Sequence, residues 1–305
     1  MTTQPIYQRV SEEVLVKVRE RLYHILEDCN LCPRKCGVNR ISGEVGYCGG
    51  GALATVASYG PHFGEERPLV GSYGSGTIFF SGCPLGCVFC QNYDISSRTI
   101  GNKYSDDEIA KIMLKLENMG CHNINLVTPT HYIPQIVGAI IKAREGGLSI
   151  PIVYNTGGYD LPETIEILAP VIDIFMPDMK FSSGEVAERF CNAYDYPEIN
   201  REAVKTMHKV VGDLKVDEYG IAMRGLIIRH LVLPEGMAGT DDIVNFIATE
   251  ISNKTYFNLM EQYYPAYKSH EYRELSRRIT REEWQEAVEQ THRAGLKIEK
   301  AFNIL

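Results

Sequence analysis

Apolar positions recur at helical spacing from Ser11 to Asp28, where Val14, Leu15, Val18, Leu22, Ile25 and Leu26 share one face and predict a first helix. The period then breaks in CNLCPRKCGVNRISGEVGYCGGG, which holds too many breakers for a regular element. Ala52 to Ser58 has strand character, and a turn-rich passage follows as far as Gly76. A boundary near residue 70 therefore divides an N-terminal segment, 1–70, from a main domain, 71–305. Beyond it, short apolar runs alternate with amphipathic ones. Strands are predicted at Thr77–Ser81, Asn123–Thr128, Pro151–Thr156, Asp173–Met179, Leu226–Leu233 and Tyr256–Met260. Helices are predicted at Asp106–Met119, Ile133–Arg144, Pro162–Leu168, up to about Val211, Asp241–Glu250 and Arg281–Ala294. Ser105 with Glu108 forms a capping-box pattern before the first of these, and Thr280 precedes the last.

Six strand–helix units with apolar strands imply an α/β fold whose parallel sheet is buried on both faces. Two architectures satisfy that pattern, a doubly wound open sheet and an incomplete barrel. Both place chemistry at the carboxyl ends of the strands.

Composition narrows the class. The 305 residues, 44% hydrophobic and 23% charged, are those of a soluble globular protein with a substantial core. A net charge of −8 argues against nucleic acid or an anionic membrane as partner. No stretch approaches the ~18 consecutive apolar residues of a membrane span. The start, MTTQPIYQRVSEE, lacks the basic-then-apolar order of an export signal, so a cytoplasmic location is expected.

Seven of the nine cysteines lie between Cys29 and Cys90. Clustered cysteines without an export signal point to metal binding rather than disulfides. Cys121 and Cys191 stand apart and read as small buried hydrophobes. In SGCPLGCVFCQN, Cys83, Cys87 and Cys90 follow the first predicted barrel strand as C-x3-C-x2-C. Three thiols on one tight loop cannot all pair, but all can point at one metal centre. Structural zinc is closed by four ligands, and a four-iron cluster normally takes four thiolates. Three thiolates leave one iron open, which is the mark of catalysis.

With Phe89 just before its last cysteine, this motif resembles the signature of the radical S-adenosylmethionine superfamily. CVFCQN is similar to the loop of the glycyl-radical-enzyme activases, the pyruvate formate-lyase activating enzyme in particular. The resemblance covers roughly Gly76 to Leu305. It implies a partial (β/α)6 barrel behind a cysteine-rich N-terminal segment, and an oxidoreductase activity. Cys83, Cys87 and Cys90 would hold a 4Fe–4S cluster, and its open iron would bind S-adenosylmethionine. Reductive cleavage would yield a 5′-deoxyadenosyl radical that abstracts hydrogen from the substrate, with a flavodoxin- or ferredoxin-type electron donor. The substrate would be a glycine of a partner enzyme, or another peptide or small molecule. A non-catalytic iron–sulfur sensor or scaffold is the alternative from a different class.

The resemblance also nominates binding residues. The backbone around Phe89, with Gln91 and Asn92 nearby, would meet the adenine. Where the family usually carries a Gly-Gly-Glu-like turn for the methionine amino group, this chain has Val127-Thr128-Pro129-Thr130-His131. There the hydroxyls of Thr128 and Thr130 would accept those hydrogen bonds, and His131 is either a substrate-side acid or base or a structural histidine. Asn155 and Thr156, in YNTGGYD, would bond the ribose or the carboxylate, while Gly157 and Gly158 allow close backbone approach. Asp178-Met179-Lys180 matches an Asp-x-Lys pattern in which the lysine faces the carboxylate; an internal brace is the alternative. Of Arg229 and His230, Arg229 is expected to face inward as a polar contact to the cofactor.

Cys29, Cys32, Cys36 and Cys48, spaced C-x2-C-x3-C-x11-C, make a complete second ligand set for zinc or a further iron–sulfur cluster. Spacing leaves the metal open. The segment's place outside the six units favours zinc, as a staple.

Overall fold

The computed structural model describes residues 4–98 and 100–299, so the last residues assigned to the main domain, 300–305, lie outside it. Among the described residues nine strands are formed: β1 (Ala54–His62), β2 (Ser75–Phe80), β3 (Asn102–Tyr104), β4 (Ile124–Val127), β5 (Ile152–Thr156), β6 (Ile174–Pro177), β7 (Lys215–Val216), β8 (Ala222–Leu231) and β9 (Tyr256–Met260). They make one mixed sheet in the order β3-β1-β2-β4-β5-β6-β8-β7, with β9 also on β8. β2, β4, β5, β6, β8 and β9 pair in parallel, each beside the next in the chain. A doubly wound sheet reverses strand order at a switch point; this sheet does not, and its course is that of an opened barrel. The central strands β5 and β6 are buried throughout, as strands covered on both faces must be.

The strand foreseen at Ala52–Ser58 is longer and pairs antiparallel with β2, so the sheet crosses residue 70. β3, at three residues, is too short to show a period. Helices occupy Glu12–Ile25, Asp106–Asn118, Ile133–Glu145, Pro162–Leu168 and Arg281–Arg293. The capping boxes at Ser105/Glu108 and Thr280/Glu283 both form. The helical stretch ending at Val211 is two helices, Gly184–Cys191 and Tyr196–Val211, because Asn192 turns left-handed between them. The helix expected over Asp241–Glu250 runs Thr240–Phe246 and loosens into a π turn at Ile247–Ile251. Among the described residues no helix is long and apolar enough to cross a membrane.

The N-terminus is pinned beneath the barrel, where the Ile6 amide donates to Asp173 Oδ1 (2.7 Å) and the Tyr7 hydroxyl to the Ile150 carbonyl (2.9 Å). The Glu12–Ile25 helix then packs along Ile133–Glu145, with Arg19 and Tyr23 bonded to Asp106. That path carries the cysteine-rich segment to the face where the parallel strands end.

β8 alternates as a strand should, sending Arg229 and His230 to opposite sides. His230 donates through Nδ1 to the Met179 carbonyl (2.6 Å), and its Nε2 lies 2.9 Å from the Thr240 hydroxyl, which donates to it when the ring is neutral. Burial pushes it down to about 4 from 6.5. The unfolded chain therefore takes up this proton first, and stability at this site is lost as pH falls from about 6.5 to about 4. Unfolding free energies across that window should fall less for His230→Asn than for wild type, by on the order of 3 kcal/mol. Parallel curves would show that His230 does not titrate this way.

Candidate functional site

A cleft of about 150 Å³ opens at the carboxyl ends of the parallel strands. Cys83, Cys87, Cys90 and Asn92 reach it from the segment after β2, Thr128 and Thr130 from that after β4, and Asn155, Thr156 and Gly157 from β5 and the turn beyond. Asp178 and Lys180 enter after β6, and Arg229 from β8 itself. A wider groove near Tyr194, Glu198 and Arg201 is open surface and carries no thiol. Reactive groups converge in the cleft instead.

Each thiol of the loop meets a donor. The Leu85 amide approaches Cys83 Sγ (3.4 Å), the Ser96 hydroxyl Cys90 Sγ (3.3 Å), and the Cys191 thiol Cys87 Sγ (3.0 Å). Burial pushes Cys83 up to about 12 and Cys90 upward as well. At Cys87 the hydrogen bond from Cys191 outweighs burial and holds the thiol below its usual range. Such sulfurs ionise fully only against a positive centre. Among the described residues no three Cys, His, Asp or Glu side chains converge as ligands of a single ion would. The three thiols line one cleft together.

Cys191, read from sequence as apolar filler, is thus a hydrogen-bond donor behind Cys87. Cys191→Ala should leave the iron content intact while lowering the reduction potential of a centre held at Cys87, because hydrogen bonds to the sulfurs favour the reduced state. A redox titration that returned the wild-type midpoint would remove that role.

The opposite wall is a charged network. Asp178 Oδ1 accepts from Arg229 Nε (2.8 Å) and Asp178 Oδ2 from Lys180 Nζ (2.6 Å). Arg229 Nη2 donates to Asn155 Oδ1 (2.7 Å), and its Nη1 lies 3.8 Å from Glu65. Burial opposes ionisation of Asp178, but Arg229 and Lys180 more than offset it and hold the carboxyl below its usual range. Arginine only donates, so Asn155 must turn its oxygen to Arg229 and leave its amide hydrogens for the cleft. Arg229 was expected as a cofactor contact. The structure places it in the cleft lining, bonded to Asp178 and Asn155 and 3.8 Å from Glu65.

Beside this network lies a second one. Asp160, 1% exposed, accepts from Thr130 Oγ1 (2.8 Å), Tyr154 OH (2.8 Å) and Thr156 Oγ1 (2.6 Å). With their hydrogens committed to a carboxylate, Thr130 and Thr156 offer the cleft only lone pairs. One side of the cleft therefore donates, through Asn155 and Lys180, and the other accepts. Thr128 lines the cleft with φ +57°, costly for a β-branched residue, and its amide bonds the Asn155 carbonyl (2.9 Å).

Three side chains lie outside the cleft lining. The Phe89 ring packs edge-on to Phe181 and Tyr263 in an apolar cluster, while its backbone stays on the loop between Cys87 and Cys90. Gln91 faces outward and reaches the Gln262 carbonyl (3.4 Å). His131 is buried away from the cleft lining, with Nε2 on the Ser81 carbonyl (2.7 Å), and burial holds it neutral, at about 3. Sequence reasoning missed Asp160 and Glu65. A carboxylate four residues after Thr156, across the glycine turn, was the available signal for Asp160; Glu65 gave none.

The comparisons with known proteins follow this geometry. A model of the radical SAM superfamily matches residues 77–221, from within β2 to the residue before β8. A protein of Methanocaldococcus jannaschii, itself described as uncharacterized, is 35% identical over 288 residues, covering 90% of this chain and 77% of that protein.

Proposed function

The chain belongs to the radical SAM superfamily, and on that premise we propose that Cys83, Cys87 and Cys90 hold a 4Fe–4S cluster and the polar wall opposite binds S-adenosylmethionine. The observation that carries this reading is the donor set of the cleft: three thiols facing a donating Lys180 and Asn155 and an accepting Thr130 and Thr156. A methionine moiety brings an ammonium and a carboxylate, which need those two opposite faces. Gly157 keeps the site open, since a Cβ there would stand 2.8 Å from Leu85 Cδ1 and 3.6 Å from Lys180 Cε. When bound, the cluster and S-adenosylmethionine supply reductive cleavage of the sulfonium and a 5′-deoxyadenosyl radical for hydrogen abstraction. The protein's part is to orient the ligand between its two polar faces and to exclude water through the packed cluster of Leu85, Phe89 and Phe181.

For the substrate, we propose a backbone glycine of a partner enzyme, with a flavodoxin- or ferredoxin-type donor. CVFCQN, YNTGG and Asp178-Met179-Lys180 support that reading by their resemblance to the activases. The residues Val127–His131, in place of a Gly-Gly-Glu-like turn, favour a second one, radical modification of another peptide or of a small molecule. The four N-terminal cysteines would hold a further metal centre.

Anaerobically reconstituted, reduced protein should convert S-adenosylmethionine to 5′-deoxyadenosine and methionine. A protein that binds the cluster and forms neither product would be a sensor or scaffold, and the enzymatic reading would fall. Anaerobic co-purification tests the glycine substrate: an activase should retain a protein that gains a glycyl-radical signal under turnover.

A further inference from the structure

Cys29, Cys32, Cys36 and Cys48 line one small cavity together with Arg40 and His131. We infer that this cavity holds a second 4Fe–4S cluster, ligated by the four thiols and sharing a wall with the cleft loop. The inference rests on reading these thiols as a metal centre.

The cavity is built to receive negative charge. Arg40 is 1% exposed, and among the described residues no carboxylate pairs with it; its Nη groups donate only to the carbonyls of His131 (2.7 Å) and Gly51 (2.8 Å). Its Nε is buried with no acceptor at all. A buried cation without a counter-ion is costly, and a four-thiolate metal centre is the anion its neighbours can supply. Two backbone amides already approach the sulfurs, Tyr47 N to Cys36 Sγ and Gly50 N to Cys48 Sγ, both at 3.4 Å. Gly46 makes that approach possible, because a Cβ there would stand 2.9 Å from Cys36 Sγ.

Charge alone would suit zinc equally, and position separates the metals.

A zinc staple suits a segment remote from the barrel, but this segment is bound onto the Cys83–Cys90 loop. The Tyr47 hydroxyl donates to the Leu85 carbonyl (2.9 Å) and Arg34 to the Pro84 carbonyl (2.8 Å). Gly82, next to Cys83, lies against the Cys48 carbonyl so closely that any Cβ there would collide with it. His131 completes the partition, lining the cavity while its Nε2 holds the Ser81 carbonyl.

The deciding measurement is metal, sulfide and reduced-state paramagnetic analysis of the anaerobically purified triple variant Cys83→Ala, Cys87→Ala, Cys90→Ala. About four irons with acid-labile sulfide and a signal on reduction, all lost when Cys32→Ala is added, is the expected result. About one zinc without iron, or no metal, would overturn the inference. Should the triple variant not fold, Cys32→Ala alone should lower iron from about eight to about four per chain. Wild-type protein that holds only about four irons and still cleaves S-adenosylmethionine would sink the second cluster and leave the proposed function standing.

Discussion

Replacing any one of Cys83, Cys87 or Cys90 by alanine is expected to reduce 5′-deoxyadenosine formation to background. The three thiols line one cleft, and a three-thiolate site has no spare ligand. Cys87 gives the sharpest form of the test, because Cys191 Sγ lies 3.0 Å from its sulfur and is the thiol best placed to substitute. If Cys191 is only a donor, Cys87→Ala is inactive, and adding Cys191→Ala changes nothing further. Wild-type turnover in Cys87→Ala would defeat the assignment of the cleft thiols as it stands, and its loss in the double variant would make Cys191 a ligand. Product analysis by chromatography, with iron counted in each preparation, separates the cases.

The second large effect concerns the charged wall. Asp178, Lys180 and Arg229 have side chains 15%, 20% and 18% exposed, so their charges depend on one another. Asp178→Ala leaves two buried cations without their carboxylate and should lower stability by about 3 kcal/mol. Lys180→Ala leaves Asp178 paired with Arg229 and should cost less stability. If Lys180 meets the carboxylate of S-adenosylmethionine, the same change should weaken its binding by roughly tenfold to a hundredfold with iron content unchanged. A lowered thermal midpoint with unaltered affinity would show that Lys180 merely braces the barrel. Calorimetry on the cluster-loaded protein reads both quantities.

Much of the fold was legible because its signals are local. Parallel strands buried on both faces must be short and apolar, and the stretches at Asn123–Thr128 and Pro151–Thr156 are read within a few residues. Capping boxes are contained in four residues, so Ser105/Glu108 was visible at once and Thr280 marked the start of the last helix. β1's role was not visible: its place in the sheet depends on pairing with β2 and β3, which periodicity does not record.

The candidate site divides along the same line. Cysteine spacing on one loop is a sequence property, because a loop of eight residues cannot take its thiols far apart; the C-x3-C-x2-C motif carried the superfamily by itself. The i, i+2 spacing likewise suggested one side for Asp178 and Lys180, and both line the cleft although they lie just beyond the end of β6. What those side chains bond to is set by neighbouring strands and loops distant in sequence. Arg229 lines the cleft, and its partners Asp178, Asn155 and Glu65 lie on three other segments. Cys191 passed for filler until folding set it behind Cys87. The N-terminal thiols looked remote until the chain's path along the Ile133–Glu145 helix brought them against the cleft loop. Short-range spacing carried most of the parallel strands, the capping boxes and the three-cysteine motif; which groups meet was set by contacts between distant segments, which packing fixes and local spacing does not record.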